Sequence, residues 1–156
     1  MIRMMENIEV ISVMFYQYFT TDITGKPLGD KWQSMKYDEN NIFAKILRGE
    51  IPCNKIYEDD FVLSFYDINP QKKIHALVIP KGKYIDLDDF STNASNEEII
   101  GLMKGVTTVA RKLGISSIDG KGYRALANIS DYGGQEVPHL HFHLFGGEKV
   151  GKMVSW

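Results

Sequence analysis

His139, His141 and His143 stand at strict two-residue spacing, with Leu140, Phe142 and Leu144 in the alternate positions. They are three of the chain's four histidines; the fourth is His75. Successive side chains of a strand point to opposite faces, so this spacing puts three imidazoles on one face and three apolar groups on the other. One face then carries chemistry while the other packs a core. Three uses are open to the imidazole face. Three histidines plus a water form a catalytic zinc arrangement. Alternatively, one imidazole attacks as a nucleophile while its neighbours orient it and bind the developing charge. The third use is structural: buried histidines satisfied by hydrogen bonds, although polar groups are costly to bury and seldom cluster without a use.

The preceding residues bear on that choice. Asp131-Tyr132-Gly133-Gly134-Gln135-Glu136-Val137 can present successive backbone N–H groups as an anion-binding concavity. A phosphate held there would lie beside the histidine face. A metal site needs no such loop and would gain from acidic or Cys ligands nearby, of which only Glu136 is evident.

Such a face needs a sheet beneath it. Asn40 or Asn41 can cap a helix over residues 42–48, with Gly49 as its stop and Pro52 preventing continuation. Residues 55–58 and 61–66 read as a hairpin around Asp59-Asp60. Residues 67–71 form a turn, and residues 74–80 a third strand. The polar run 86–96 reads as a loop. Ser95 and Glu98 form a capping box for a helix reaching Leu113, with Gly114 as its end. Ile99, Leu102, Met103, Val106, Val109, Ala110 and Leu113 give this helix its buried face. Gly101 and Gly105 each cost it about 1 kcal/mol relative to alanine. Either that cost is tolerated, or the glycines admit another backbone, such as the same helix of a second subunit. Residues 123–128 read as a fourth strand, 129–135 as a glycine-rich turn, and 139–145 as the fifth strand. Three strands, a helix and two more strands predict a mainly antiparallel α+β domain.

At 156 residues the chain fits one domain with a real core, and 44% apolar with 24% charged residues is ordinary globular composition. A net charge of −2 supplies no basic field for nucleic acid or an anionic membrane. No apolar run suggests a membrane span, and Glu6 and Glu9 interrupt any signal-peptide core. Cys53 is the only cysteine, which excludes an intramolecular disulfide and a Cys-rich zinc site and agrees with a cytoplasmic setting. Residues 1–34 read differently from the rest. The apolar stretch 8–19 suits a strand or a short buried helix, and 24–30 a turn or linker. The expected division is an N-terminal extension over 1–37 and a domain over 38–156.

Residues 139–145 resemble the His-φ-His-φ-His-φ-φ signature of the histidine-triad (HIT) superfamily. The likeness continues through residues 41–57, 67–71, 75–81, 122–124 with Asn128, and 133–147. Their order and spacing are similar to the histidine-triad nucleotide-binding (Hint) branch, over roughly 38–147. The resemblance implies a HIT-like fold of five antiparallel strands with two helices, here with the N-terminal extension added. It also implies a homodimer with the long helix at its interface. The implied activity is hydrolysis of the P–N bond of purine nucleoside phosphoramidates, such as adenosine 5′-phosphoramidates. A covalent nucleotidyl-histidine is the implied intermediate, with no metal or cofactor. His141 matches the nucleophile, which must be neutral to attack, and its ordinary pKa of about 6.5 allows that. A backbone carbonyl near the first histidine is expected to hold its other ring nitrogen. By the same resemblance, His143, Gln135 and the amides after Gly133 (Gly134, Glu136, Val137) bind phosphoryl oxygens, and His139 and His75 support the triad. Asp67 with Ile68 meets the ribose, Asn128 lies near the 5′ oxygen, and Ile42, Phe43 and Ile51 wall the base pocket. Plain readings stand beside these: a strand histidine for His75, a turn-forming Asp67, ordinary core for the three apolar residues. Two residues depart from the pattern. Glu136 replaces a common Ser beside the phosphate, where a carboxylate either repels substrate or acts as a general acid toward the leaving amine. Glu148 replaces a common basic residue. The alternatives are a dinucleoside polyphosphate hydrolase and a non-catalytic nucleotide-binding regulatory protein.

Overall fold

The computed structural model describes residues 36–153, and the readings for 8–19 and 24–30 lie outside them. A compact unit begins at Tyr37. Its first helix, α1 (Ile42–Leu47), is capped by Asn41, whose side chain accepts from the Ala44 N–H at 2.9 Å. Gly49 then takes φ +75°, the left-handed conformation that glycine adopts without a Cβ penalty, and ends the helix.

Five strands follow: β1 (Lys55–Glu58), β2 (Val62–Tyr66), β3 (Ile74–Pro80), β4 (Arg124–Leu126) and β5 (Phe142–Gly146). They form one antiparallel sheet in the order β1-β2-β3-β5-β4. The acidic turn predicted between the first two is built by Asp59. Its Oδ1 accepts from the N–H groups of Phe61 and Val62 at 2.8 and 2.9 Å.

The sheet's two faces have separate cores. Val62, Ala76, Val78, Leu140 and Leu144 pack with Leu102, Val106 and Val109 of the long helix α3 (Asn96–Lys112). Leu63, Phe65, Leu77 and Ile79 on the other face pack with Phe43 of α1. Helix α3 carries the predicted capping box: the Ser95 side chain accepts from the Glu98 N–H, and Glu98 reaches back to the Ser95 N–H at 2.9 Å.

The structure corrects several boundaries. The run 86–96 is not all loop but contains α2 (Leu87–Asn93), capped by the Asp86 side chain on the Asp89 N–H at 2.9 Å. Its one fully buried anchor is Phe90, so the sequence shows no periodic stripe. The glycine-rich turn contains a one-turn helix, α4 (Ser130–Gly133), so the described residues hold four helices rather than two. Met103, expected in the α3 core, is 46% exposed. Strand β5 begins at Phe142 rather than His139. Pro138 has no N–H for a ladder, and the next amides bond elsewhere: His139 N–H to the Val137 carbonyl at 2.8 Å, Leu140 N–H to the Tyr84 carbonyl at 2.7 Å.

The α3 glycines face their own chain. A Cβ on Gly101 would lie 2.4 Å from Phe61 Cγ, and one on Gly105 would lie 2.7 Å from Val62 Cγ2. The helix rests on the start of β2, so close intrachain packing accounts for both residues. Gly101→Ala should destabilise the protein by about 1 kcal/mol, because overpacking of about 1–3 kcal/mol outweighs the helix-propensity gain of about 1 kcal/mol. Urea unfolding checks the sign; a stabilised variant would contradict this packing.

Candidate active site

Strand pairing sets the histidine face. On β3 and β5, His75 lies opposite Phe145 and Leu77 opposite His143, while Ala76 and Val78 face Leu144 and Phe142. Alternation therefore sends His75, His143 and Phe145 to one side and the α3 core to the other. Upstream of the ladder the alternation persists: Leu140 is buried in the α3-side core, and His139 and His141 lie against Phe43 on the opposite side. The ring centroids of His141 and His143 are 4.9 Å apart, and those of His75 and His143 5.2 Å.

Each ring has a distinct hydrogen-bond assignment, which fixes its tautomer. His141 Nδ1 lies 2.7 Å from the His139 carbonyl oxygen, an acceptor, so Nδ1 carries the hydrogen. Nε2 then holds the lone pair, and it makes no hydrogen bond among the described residues. The carbonyl expected to hold this ring is present, and it belongs to the first histidine of the triad. His139 Nε2 donates to the Pro80 carbonyl at 3.0 Å, and its Nδ1 accepts from the Tyr37 hydroxyl at 2.5 Å. With both nitrogens engaged and no exposed surface, His139 has nothing left to offer a metal shared with His141 and His143. The three-histidine metal reading fails on that geometry.

The second pair forms a relay. Gln71 N–H donates to His75 Nδ1 at 3.3 Å, which leaves the hydrogen on Nε2, 2.9 Å from His143 Nδ1. His143 therefore presents an Nε2–H outward. Asp67 Oδ2 is 3.4 Å from the same His75 nitrogen, and Asp67 Oδ1 accepts from the Asn69 N–H at 2.8 Å. Asp67 thus combines its turn-forming role with a place beside the histidines. Asp67, His75 and His143 bring three donor atoms within 4.8 Å, the set among the described residues best arranged for a cation, although two of its members already hydrogen-bond each other.

The loop differs in part from expectation. Gly134 takes φ +72°, and the N–H groups of Gly134 and Gln135 donate back to Asp131 and Ser130 carbonyls at 3.0 Å. Among the described residues the amides of Glu136 and Val137 find no acceptor, so any anion-binding pair begins there. The Gln135 side chain is also committed. Its Nε2 donates to the Ile85 and Val137 carbonyls at 2.6 and 2.9 Å, and its Oε1 accepts from the Ser130 N–H. It braces the loop and has no free donor for a phosphoryl oxygen. Asn128 backs the same loop, its carbonyl carbon 3.6 Å from where a Gly133 Cβ would lie. Glu136 is exposed, Ile68 is 85% exposed, Ile51 half-buried and Ile42 44% exposed, leaving Phe43 as the buried wall. Glu148 accepts from the Lys73 N–H at 3.1 Å and lines a concavity with Lys121, Arg124 and Lys149, which shares no residue with the histidine cluster.

Tyr37 is the residue that sequence reasoning missed. It fell on the extension side of the expected boundary, and no local pattern signals a partner 102 residues away.

Comparison with known proteins gives the family of the chain. The HIT domain family model matches residues 48–150. A HIT-like protein of Azospirillum brasilense is 53% identical over 119 residues, spanning 76% of this chain and 95% of that one. The purine nucleoside phosphoramidase of Escherichia coli K12 is 41% identical over 117 residues, spanning 75% and 95%. A HIT family hydrolase from Clostridium thermocellum superposes with a TM-score of 0.67 at 39% identity, spanning 75% of this chain and 99% of that one. The chain belongs to the HIT family, as a hydrolase-type enzyme with the five-stranded antiparallel fold of that family.

Burial holds all four imidazoles below their ordinary pKa. His139 and His143 fall to about 4, and His141 and His75 are lowered as well. Desolvation is the largest cause in each and outweighs the opposing pull of Asp67 on His75, His141 and His143. Below pH 6.5 an unfolded imidazole binds a proton that the folded ones refuse, so stability is full above that pH and falls as acid is added. The urea midpoint should drop between pH 6.5 and about 5, above the range in which carboxylates titrate. A flat midpoint there would contradict the buried neutral triad.

Proposed function

We propose that the protein hydrolyses purine nucleoside 5′-phosphoramidates, with His141 as nucleophile. The observation that carries this reading is the bond from His141 Nδ1–H to the His139 carbonyl, which leaves Nε2 as the attacking lone pair. The lowered pKa keeps that lone pair available at neutral pH. Nε2 bonds to the α-phosphorus as the P–N bond breaks, and the amine leaves with a proton drawn from water. A water molecule then attacks the same phosphorus, releasing the nucleoside monophosphate and restoring the imidazole. His143 Nε2–H and the amides of Glu136 and Val137 bind the phosphoryl oxygens, where negative charge builds. Asp67 with Ile68 takes the ribose, Asn128 stands near the 5′ oxygen, and Phe43, Ile42 and Ile51 wall the base. Gln135 acts indirectly by holding the loop. The phosphoramidase name of the Escherichia coli relative supports the substrate class.

The assembly belongs to the same reading. A homodimer is supported by Ile100 and Met103, 53% and 46% exposed on α3, and by β4, which is an edge strand. A cytoplasmic setting is supported by the lone cysteine; no helix among the described residues is long and apolar enough to cross a membrane.

A reaction with labelled adenosine phosphoramidate, rapidly quenched and worked up at alkaline pH because a P–N bond to imidazole is acid-labile, should yield a nucleotidyl adduct on His141. His141→Ala should abolish the adduct and lower turnover by about a thousandfold or more. Faster turnover of a diadenosine polyphosphate than of the phosphoramidate would replace this reading. Glu136→Ser should change kcat/KM unequally for amines of different charge, because the carboxylate lies beside the scissile bond. Equal effects on cationic and neutral leaving groups would remove Glu136 from leaving-group selection.

A further inference from the structure

We infer that Tyr37 is a positioning residue for the nucleophile, acting through the ring of His139 on the ring of His141. The inference rests on the proposed histidine chemistry and extends it to a residue outside the triad. The linkage has three bonds. The Tyr37 hydroxyl donates to His139 Nδ1, His139 Nε2–H donates to the Pro80 carbonyl, and the His139 carbonyl accepts from His141 Nδ1–H. Two opposed bonds clamp the His139 ring, one at each nitrogen. The ring shares its residue with the carbonyl that fixes His141, so clamping the ring limits rotation of that peptide group. His139 alone, held only by Pro80, could pivot about a single bond.

The direction of the first bond is set by both partners. Burial raises the Tyr37 hydroxyl above its ordinary pKa, so it stays protonated and donates. His139 is neutral near pH 7 and accepts. The packing is consistent with that role. Tyr37 meets His139 edge-on with ring centroids 5.6 Å apart, and Phe43 meets His139 and His141 edge-on at 6.1 and 5.2 Å. Two aromatic rings therefore confine the histidine pair, but only Tyr37 brings a hydrogen-bond donor. Without the hydroxyl, His139 Nδ1 becomes a buried acceptor with no partner, and the peptide at 139 loses one of its two restraints. The cost falls on His141, whose productive tautomer depends on that peptide's carbonyl.

Tyr37→Phe in the full chain separates the hydrogen bond from the ring, since Phe fills the same space. The expected result is a kcat on adenosine phosphoramidate reduced about tenfold, with KM changed by less than about twofold. Nitrogen-15 NMR gives the second readout. With four histidines in the chain, the ring signals can be assigned individually. Wild-type His141 should show the Nδ1–H tautomer, and Tyr37→Phe should gain a population of the Nε2–H form, whose attacking nitrogen is blocked. A fall in kcat without the tautomer change, a rise in KM alone, or no change in either overturns the inference. The tautomer readout needs no substrate. A wild-type protein inactive on phosphoramidates would therefore sink the proposed reaction, while an unaltered His141 tautomer in Tyr37→Phe would sink this inference alone.

Discussion

The bond from His141 Nδ1 to the His139 carbonyl is the constraint on which the rest of the site depends. It is a bond between residues two apart in sequence, yet neither residue could make it alone. The carbonyl points correctly only because the chain has left the β5 ladder, turned by Pro138 and tied by Leu140 N–H to Tyr84. In a regular strand the carbonyls of residues 139 and 141 would bond to a neighbouring strand and be unavailable to a side chain. Delaying the start of β5 to Phe142 therefore frees the acceptor that orients the nucleophile.

Burial and hydrogen bonding share the task of keeping the imidazoles neutral and directed. Desolvation dominates every histidine, which makes neutrality a consequence of packing against Phe43, Phe145 and the sheet. Hydrogen bonds then decide which nitrogen carries the proton. His141 is left with a free lone pair and His143 with an outward N–H, opposite characters on neighbouring rings. That difference arises from their partners, a carbonyl for one and another imidazole for the other. Asp67 moderates the pair without reversing the effect of burial.

The glycine loop shows how the amides that a motif points to can already be committed within the fold. Two of its amides close the one-turn α4, and Gln135 uses its whole amide group to fix the loop to Ile85, Val137 and Ser130. The amides that find no acceptor among the described residues lie farther on, at Glu136 and Val137. The α3 glycines carry a similar lesson. Their four-residue spacing suggested contact with a second subunit, whereas Phe61 and Val62 of the same chain occupy the space. Spacing reports that something comes close; it does not report what.

The two-residue alternation of histidines with Leu140, Phe142 and Leu144 was enough to separate a chemical face from a core face, because side-chain period is a local property of extended backbone. The capping box, the acidic hairpin turn and the stop at Gly49 were legible for the same reason: each partner lies within a few residues. Helix α2 was not, since one buried Phe90 makes no stripe. Nor were the partners of the imidazoles beyond the neighbouring peptide. Pro80 and Tyr37 reach His139 across 59 and 102 residues, and the family resemblance that tied His75 to the triad did not give its bond to His143. The sequence by itself determined which residues could do chemistry and which face they share. Only the tertiary structure decided which nitrogen of each ring is free, because a tautomer is set by whatever acceptor the fold brings within about 3 Å.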